Sequence, residues 1–214
     1  MQTQRMLIVM DVDSTVIEQE VIELIASHAG VEDEVRRVTE SAMRGELDFE
    51  ASLRARVALL AGLSADVLEQ VRADVRLTTG AQELVRTLRE TGHVIGLVSG
   101  GFDAVVSTIA DDLGVDEFRA NTLEIVDGRL TGRVLGGVVD RAAKAQYLRE
   151  FAATYGVPMN RTIAIGDGAN DLDMMRDAEL GIAFCAKPVV QQQADVALNT
   201  RDLRLVLDIL NEAF

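Results

Sequence analysis

A single cysteine, Cys185, rules out an internal disulfide and cannot by itself build a zinc site. It is read as a packing residue. The residue six beyond it is Gln191, so a Cys-x5-Arg phosphate loop is missing as well. Histidine is almost as scarce: only His28 and His93 occur, neither in a setting that would serve a Ser/His/Asp triad. Basic side chains are outnumbered, 21 Lys and Arg against 35 Asp and Glu, for a formal net charge of −14. Such a chain would be repelled by nucleic acid and by an anionic membrane surface, so any anionic substrate must be held by local groups. No apolar run approaches the roughly eighteen residues of a membrane span, and the run after Arg5 is too short for a signal-peptide core. These absences give the expectation of a cytoplasmic protein with no nucleic-acid or membrane partner, monomeric or homodimeric. The only prolines are Pro158 and Pro188, and no Pro-rich linker, low-complexity tract or internal repeat is found.

What is present suits a globular protein. The 214 residues are 48% hydrophobic and 26% charged, enough for one sizeable domain or a domain with a smaller insert. The most informative stretch lies near the start, where the apolar run Met6-Leu7-Ile8-Val9-Met10 stops abruptly at Asp11-Val12-Asp13-Ser14-Thr15. Consecutive apolar residues predict a strand covered on both faces, and residues two apart on an extended chain project to the same side. Asp11 and Asp13 can therefore face one reacting atom. Two carboxylates at a core edge need a cation, hydrogen-bond donors or a proton to be tolerated, the plain alternative being a solvated acidic loop.

Beyond that strand the periodicity turns helical. Val21, Ile22, Leu24 and Ile25, then Val35 and Val38, then Leu53, Val57 and Leu60 recur at three-to-four spacing between charges. Residues 16–76 are thus expected to form a helical insert, with residues 1–15 and 77–214 as the core. From Gly80 onward strands alternate with helices: a strand Val94–Val98, helices near Asp103–Asp112 and Ala142–Tyr155, and a strand Thr162–Ile165. Alternation predicts an α/β fold, a doubly wound, Rossmann-like parallel sheet with helices on both faces. Asp127-Gly128, between alternating residues from Thr122 to Thr131, predicts a β-hairpin appended to that sheet.

Ligands of doubly wound sheets bind beyond the carboxyl ends of the strands, so the residues after each apolar run form one candidate site. They are Asp11 and Asp13, then Ser99-Gly100-Gly101, then Gly166-Asp167-Gly168-Ala169-Asn170-Asp171. Converging carboxylates make a hard-oxygen cage suited to Mg2+. Ser-Gly-Gly, read as a turn before a helix, offers a hydroxyl and free N–H groups at a positive helix end for phosphate oxygens. Lys144, at a helix start, can add a point charge, although alone it would be read as a solvated lysine. Metal, anion seat and spare carboxylate together point to phosphoryl transfer. Other motifs fail. An EF-hand starting at Asp11 has Thr15 and Val16 at its fifth and sixth positions, and one starting at Asp167 has Ala169 and Leu172 at its third and sixth. Gly166-x-Gly168 places Asp171 where a dinucleotide fingerprint needs its third glycine, and no Gly-x4-Gly-Lys loop occurs.

On these residues the chain resembles the haloacid dehalogenase-like hydrolases, essentially end to end, and within them the phosphoserine phosphatase branch. Asp11-Val12-Asp13-Ser14-Thr15 is similar to the family's first motif, Ser99-Gly100-Gly101-Phe102 to its second, Lys144 to its lysine, and Gly166 to Asp171 to its acidic motif. The resemblance implies a helical cap over residues 16–76. It further implies Asp11 as nucleophile and Asp13 as general acid and base, with Mg2+ held by Asp11, the Asp13 carbonyl and Asp167. Ser99, Gly100 and Lys144 would contact phosphoryl oxygens. Glu20, Met43, Phe49, Arg56 and Asn170 would contact the substrate, O-phosphoserine, with Asp171 and Gly101 in support. The chain begins at the first strand, so control through an N-terminal regulatory domain is not expected. Two alternatives stay open: transfer of the phosphoryl group from phosphoserine to homoserine, and a non-catalytic module that binds a phosphorylated ligand.

Overall fold

The first strand, β1 (Leu7–Met10), lies inside a sheet whose strand order is β4-β3-β2-β1-β5-β6-β7. The computed structural model describes residues 5–43 and 48–214, the side chains of residues 41–43 lying outside that description. β1 pairs in parallel with β2 (Val94–Phe102) on one side and β5 (Thr162–Gly166) on the other, Leu7 standing opposite both Val94 and Thr162. β6 (Leu180–Phe184) and β7 (Val196–Leu198) extend the β5 side in parallel. β3 (Glu117–Val126) pairs in parallel with β2, and β4 (Arg129–Leu135) closes that edge antiparallel. The order reverses at β1, which places its carboxyl end at the topological switch point where α/β sheets open a crevice.

Strand alternation explains why the runs are apolar throughout. Ile8, Met10, Ile95, Leu97, Ile163 and Ile165 enter one core, while Leu7, Val9, Val94, Val98 and Ala164 enter the other. Four helices follow β1: α1 (Val21–Ala29), α2 (Glu32–Met43), α3 (Phe49–Ala58) and α4 (Val67–Asp74). α5 (Ala81–Glu90) and α6 (Asp103–Leu113) cover the first core face. α7 (Arg141–Tyr155) and α8 (Leu172–Asp177) cover the second, and α9 (Pro188–Gln191) and α10 (Leu205–Ala213) complete the described helices. Asp140 caps α7 by accepting from the Ala143 N–H at 2.8 Å, which satisfies an otherwise orphaned donor. Among the described residues no helix is long and apolar enough to cross a membrane.

The α1–α4 segment joins the sheet through two adjacent crossings. The chain leaves β1 by an irregular turn, Val12–Val16, closed by the Ile17 N–H on the Val12 carbonyl at 3.0 Å. It returns where the Thr78 N–H donates to the Val16 carbonyl at 2.9 Å and the Glu18 N–H to the Arg76 carbonyl at 2.9 Å. A third attachment comes from the hairpin: the Gly62 N–H donates to the Leu130 carbonyl at 2.8 Å and the Leu130 N–H to the Leu63 carbonyl at 2.9 Å. Asp127 and Gly128 both have positive φ, 50° and 72°, the two-residue turn whose twist matches a hairpin.

One expectation needs correction. Ser99-Gly100-Gly101 is not a turn at a helix end: β2 continues to Phe102, its pairing with β3 shifting register between Val98 and Phe102, and α6 begins only at Asp103. An irregular pairing of this kind re-aims a strand without ending it, which apolar-run length cannot reveal. The hairpin is appended to the sheet as expected: β3 pairs with β2 through Glu117–Asn121, and its residues from Thr122 to Val126 pair with β4.

Candidate active site

The carboxyl ends of β1, β2 and β5 and the facing side of α1 and α3 enclose a cavity of about 200 Å³. This volume suits a small metabolite and falls below the roughly 300–1,000 Å³ of drug-sized pockets. Asp11, Asp13, Asp167, Gly100, Gly101 and Asn170 line it from the sheet side, and Glu20, Phe49 and Arg56 from the helical side. All nine were expected site residues. Phe102 and Gly168, which belong to the motif stretches already picked out, also line it; Ile22 and Leu53 line it too and were not singled out, because an apolar residue at helical spacing reads as core. Met43 ends α2, but its side chain lies outside the described residues.

Beneath the cavity floor Lys144 is wholly buried. Its Nζ donates to Asp11 Oδ1 and to Asp171 Oδ1, each at 2.6 Å. The reading of Lys144 as a solvated lysine therefore fails. α7 points this side chain across the end of β1, while Asp171 is set by a 3-10 turn, Ala169–Asp171, that follows β5. Asp171 Oδ2 also accepts from the Gly168 N–H at 3.0 Å, which ties the acidic loop to the same ion pair.

The second strand end is built around contact too close for side chains. The Ser99 hydroxyl, fully buried, accepts from the Gly101 N–H at 2.8 Å. A Cβ on Gly101 would lie 2.8 Å from Asp13 Oδ2 and 3.0 Å from Ser99 Oγ, so only glycine lets Asp13 rest there. Asp13 Oδ1 is buried with no hydrogen-bond partner in the protein.

Glu20 precedes α1 and accepts from the Ser14 hydroxyl at 2.6 Å, Ser14 itself being held at φ 57°. That left-handed backbone is sparsely populated for a non-glycine residue and turns the Ser14 side chain toward Glu20. Arg56, near the end of α3, is half-buried and donates from Nε to the Ser52 carbonyl at 3.3 Å. Phe49, in the first turn of α3, reaches within 3.0 Å of where a Cβ on Gly100 would stand.

Five carboxylates, Asp11, Asp13, Glu20, Asp167 and Asp171, against one ammonium and one guanidinium make an electrostatic imbalance. Burial pushes Asp11 well above the usual carboxylate range, Asp171 adding to the rise and Lys144 opposing it. Burial likewise raises Asp13 well above that range, with Glu20 reinforcing it. Asp167 is raised to about 7 by burial, then by Asp171 and Glu20. Desolvation alone would lower Lys144, but Asp11 and Asp171 outweigh it and hold its pKa above the ordinary value. Glu20 is raised by burial against the Ser14 hydroxyl and Arg56, and Arg56 is lowered by burial. Oxygens of Asp11, Asp167 and Asp171 all lie within 4.8 Å of one another. Three hard oxygens at that spacing, short of positive charge, fit a divalent cation with oxygen preference. Asp171, expected only in support, is the third member of this trio, and the Asp13 side chain is not among them.

Cys185 follows β6 at φ 48°, half-buried and packed against the core, as expected of a packing residue.

A carboxylate cage at the switch point of a doubly wound sheet, backed by a buried lysine and facing a helical insert, defines a class of hydrolase. The chain belongs to the haloacid dehalogenase-like hydrolase family, whose model matches residues 8–176. A phosphoserine phosphatase of Streptomyces coelicolor is 63% identical over 204 residues, which is 95% of this chain and 50% of that protein. The chain thus spans about half the length of that relative. A phosphoserine phosphatase of Streptococcus thermophilus is 49% identical over 206 residues, 96% of each protein. A solved substrate-bound phosphoserine phosphatase complex is similar with a TM-score of 0.92 and 43% identity, covering 97% of this chain and 99% of that one.

Proposed function

We propose that this chain is a Mg2+-dependent phosphatase that hydrolyses O-phospho-L-serine to L-serine and phosphate, the closing step of L-serine biosynthesis in the cytoplasm. One observation carries the reading: a single small cavity has Asp11, Asp13 and Asp167 on its sheet side and the opposite charges Glu20 and Arg56 on its helical side. Phosphoserine presents a phosphoryl group at one end and an ammonium and a carboxylate at the other. Glu20 matches the ammonium, Arg56 the carboxylate, and Phe49 with Asn170 the space between them. The similarity to phosphoserine phosphatases supports the same assignment.

In this mechanism Asp11 attacks phosphorus, forming an aspartyl-phosphate as the bond to the serine oxygen breaks. Asp13 gives its proton to that leaving oxygen, then takes one from the water that attacks the aspartyl-phosphate, which frees phosphate and restores Asp11. Burial raises the Asp13 carboxyl and so favours its protonated form, which suits it to the first step. Lys144 stabilises the ionised form of Asp11 through its 2.6 Å contact. Mg2+ would be held by Asp11, Asp167 and the Asp13 carbonyl, and when bound it neutralises charge on the phosphoryl oxygens. Ser99, Gly100 and Lys144 complete the phosphoryl seat. Residues 16–76 act as a cap over a core formed by residues 1–15 and 77–214, excluding water during the first step.

Phosphate release from a panel of phosphoserine, phosphothreonine, phosphotyrosine and sugar phosphates tests the proposal. The highest kcat/KM on phosphoserine, abolished by EDTA and restored by Mg2+, is expected. Preference for a sugar phosphate, or no release at all, would overturn it, and phosphohomoserine formed on adding homoserine would mean transfer in place of hydrolysis.

A further inference from the structure

Among the described residues, Asn121 is the one buried amide side chain that touches the proposed phosphoryl seat from behind. It sits in β3, 1% exposed. Its Nδ2 donates to the Gly100 carbonyl at 2.8 Å, and its Oδ1 accepts from the Val139 N–H at 2.8 Å. Only one orientation of the amide satisfies both partners, since a flipped group would face donor to donor and acceptor to acceptor.

The Gly100 carbonyl and the Gly101 N–H belong to the same peptide unit. Asn121 holds its oxygen and the Ser99 hydroxyl holds its nitrogen, each at 2.8 Å. A peptide gripped at both ends cannot rotate, although glycine on either side would otherwise leave it free to do so. Two consequences follow. Ser99 Oγ spends an acceptor site on Gly101, so the hydroxyl hydrogen is left to donate elsewhere. Asp13 Oδ2, which rests against Gly101, keeps its place because Gly101 keeps its own. The other end of the amide grips Val139, the residue before Asp140, whose side chain caps the helix that carries Lys144. One side chain therefore joins the β2 end to the start of α7, the two elements that supply Ser99, Gly100 and Lys144.

We propose that Asn121 is a positioning residue of the phosphoryl seat: it locks the Gly100–Gly101 peptide so that Ser99 and Asp13 are aimed at a bound phosphoryl group. The proposal rests on the phosphatase reading above. Asn121→Asp keeps an acceptor for Val139 but sets a carboxylate oxygen against the Gly100 carbonyl, and Asn121→Ser removes the clamp without adding charge. Both are assayed with phosphoserine and Mg2+, with inorganic phosphate and L-serine as competing products and thermal melting as the fold control. Phosphate reports on the seat; serine reports on the helical side of the cavity. Expected is a fall in kcat of about ten- to a hundred-fold in a folded variant, the scale on which misplaced groups lose rate. The inhibition constant for phosphate should rise by a similar factor, while that for serine stays within about two-fold of wild type. Unchanged kcat and phosphate inhibition, equal shifts for phosphate and serine, or unfolding of both variants would overturn the positioning role. If wild type itself releases no phosphate from any substrate, it is the phosphatase reading that fails, a distinct result.

Discussion

Lys144 and Asp11 are joined by a 2.6 Å contact between Nζ and Oδ1, with Lys144 fully buried. The same ammonium reaches Asp171, so one cation serves two buried carboxylates. Removing one member of a buried pair leaves the other desolvated and uncompensated, at a cost of about 3–5 kcal/mol. Lys144→Ala should lower unfolding stability in urea by that amount in metal-free buffer, and activity with it. A change in stability under about 1 kcal/mol would mean water or rearrangement compensates the carboxylates.

Asp13→Asn should retain Mg2+ and phosphoserine binding yet lose about 10²–10⁴ in kcat, the usual worth of a positioned acid and base. Calorimetry and steady-state kinetics on the same sample separate these effects. Near-normal kcat at neutral pH would remove the proton-transfer role from Asp13.

Amino-acid recognition is assigned to Glu20 and Arg56, both on the helical side of the cavity. Charge-assisted hydrogen bonds of about 1.5–3 kcal/mol each translate to roughly ten- to a hundred-fold or somewhat more in kcat/KM. Glu20→Gln and Arg56→Ala should each cost that much on phosphoserine and far less on p-nitrophenyl phosphate, which has neither group. Equal losses on both substrates would assign the two residues to holding the cap instead.

The metal-free protein should lose stability as pH rises. Asp167 has a folded-state pKa of about 7, above its ordinary value. It therefore holds a proton in the folded state that the unfolded chain has already released, and its contribution is complete at low pH and gone above about 7. Asp11 and Asp13, also raised, act in the same direction. Mg2+ must displace such protons, so its affinity should rise about tenfold per pH unit below 7 for each proton released. Melting curves with EDTA or Mg2+ from pH 5 to 8 check both statements, and Asp167→Asn should flatten the metal-free profile. A metal-free stability that climbs with pH across that window would contradict the account.

Much of this architecture was legible in the chain because burial on both faces leaves apolar runs that end where the sheet ends. Met10 to Asp11 and Ile165 to Gly166 mark those ends, and the β-hairpin turn at Asp127-Gly128 needs the positive φ that those residue types tolerate. The carboxylates were legible for the same reason. Lys144 was legible only in conjunction with the other motifs, since a lysine near a helix start looks the same whether it faces water or a buried carboxylate, and its pairing with Asp11 and Asp171 left no trace in the sequence. Ser99-Gly100-Gly101 was misread as a turn because a register shift inside a strand leaves no compositional trace distinct from a turn. Asn121 was missed altogether, yet a signal existed: it alternates with Leu123 on the inward face of β3, where a polar side chain needs a buried partner.

The nucleophilic role of Asp11 is the centre of the account, and trapping tests it most directly. Protein is mixed with Mg2+ and phosphoserine carrying labelled phosphate, quenched in acid within a turnover, digested and mapped. The label should appear on Asp11, and should be absent from Asp11→Asn, which keeps its fold but can form no acyl phosphate. Label on any other residue, or turnover by Asp11→Asn, would contradict the mechanism.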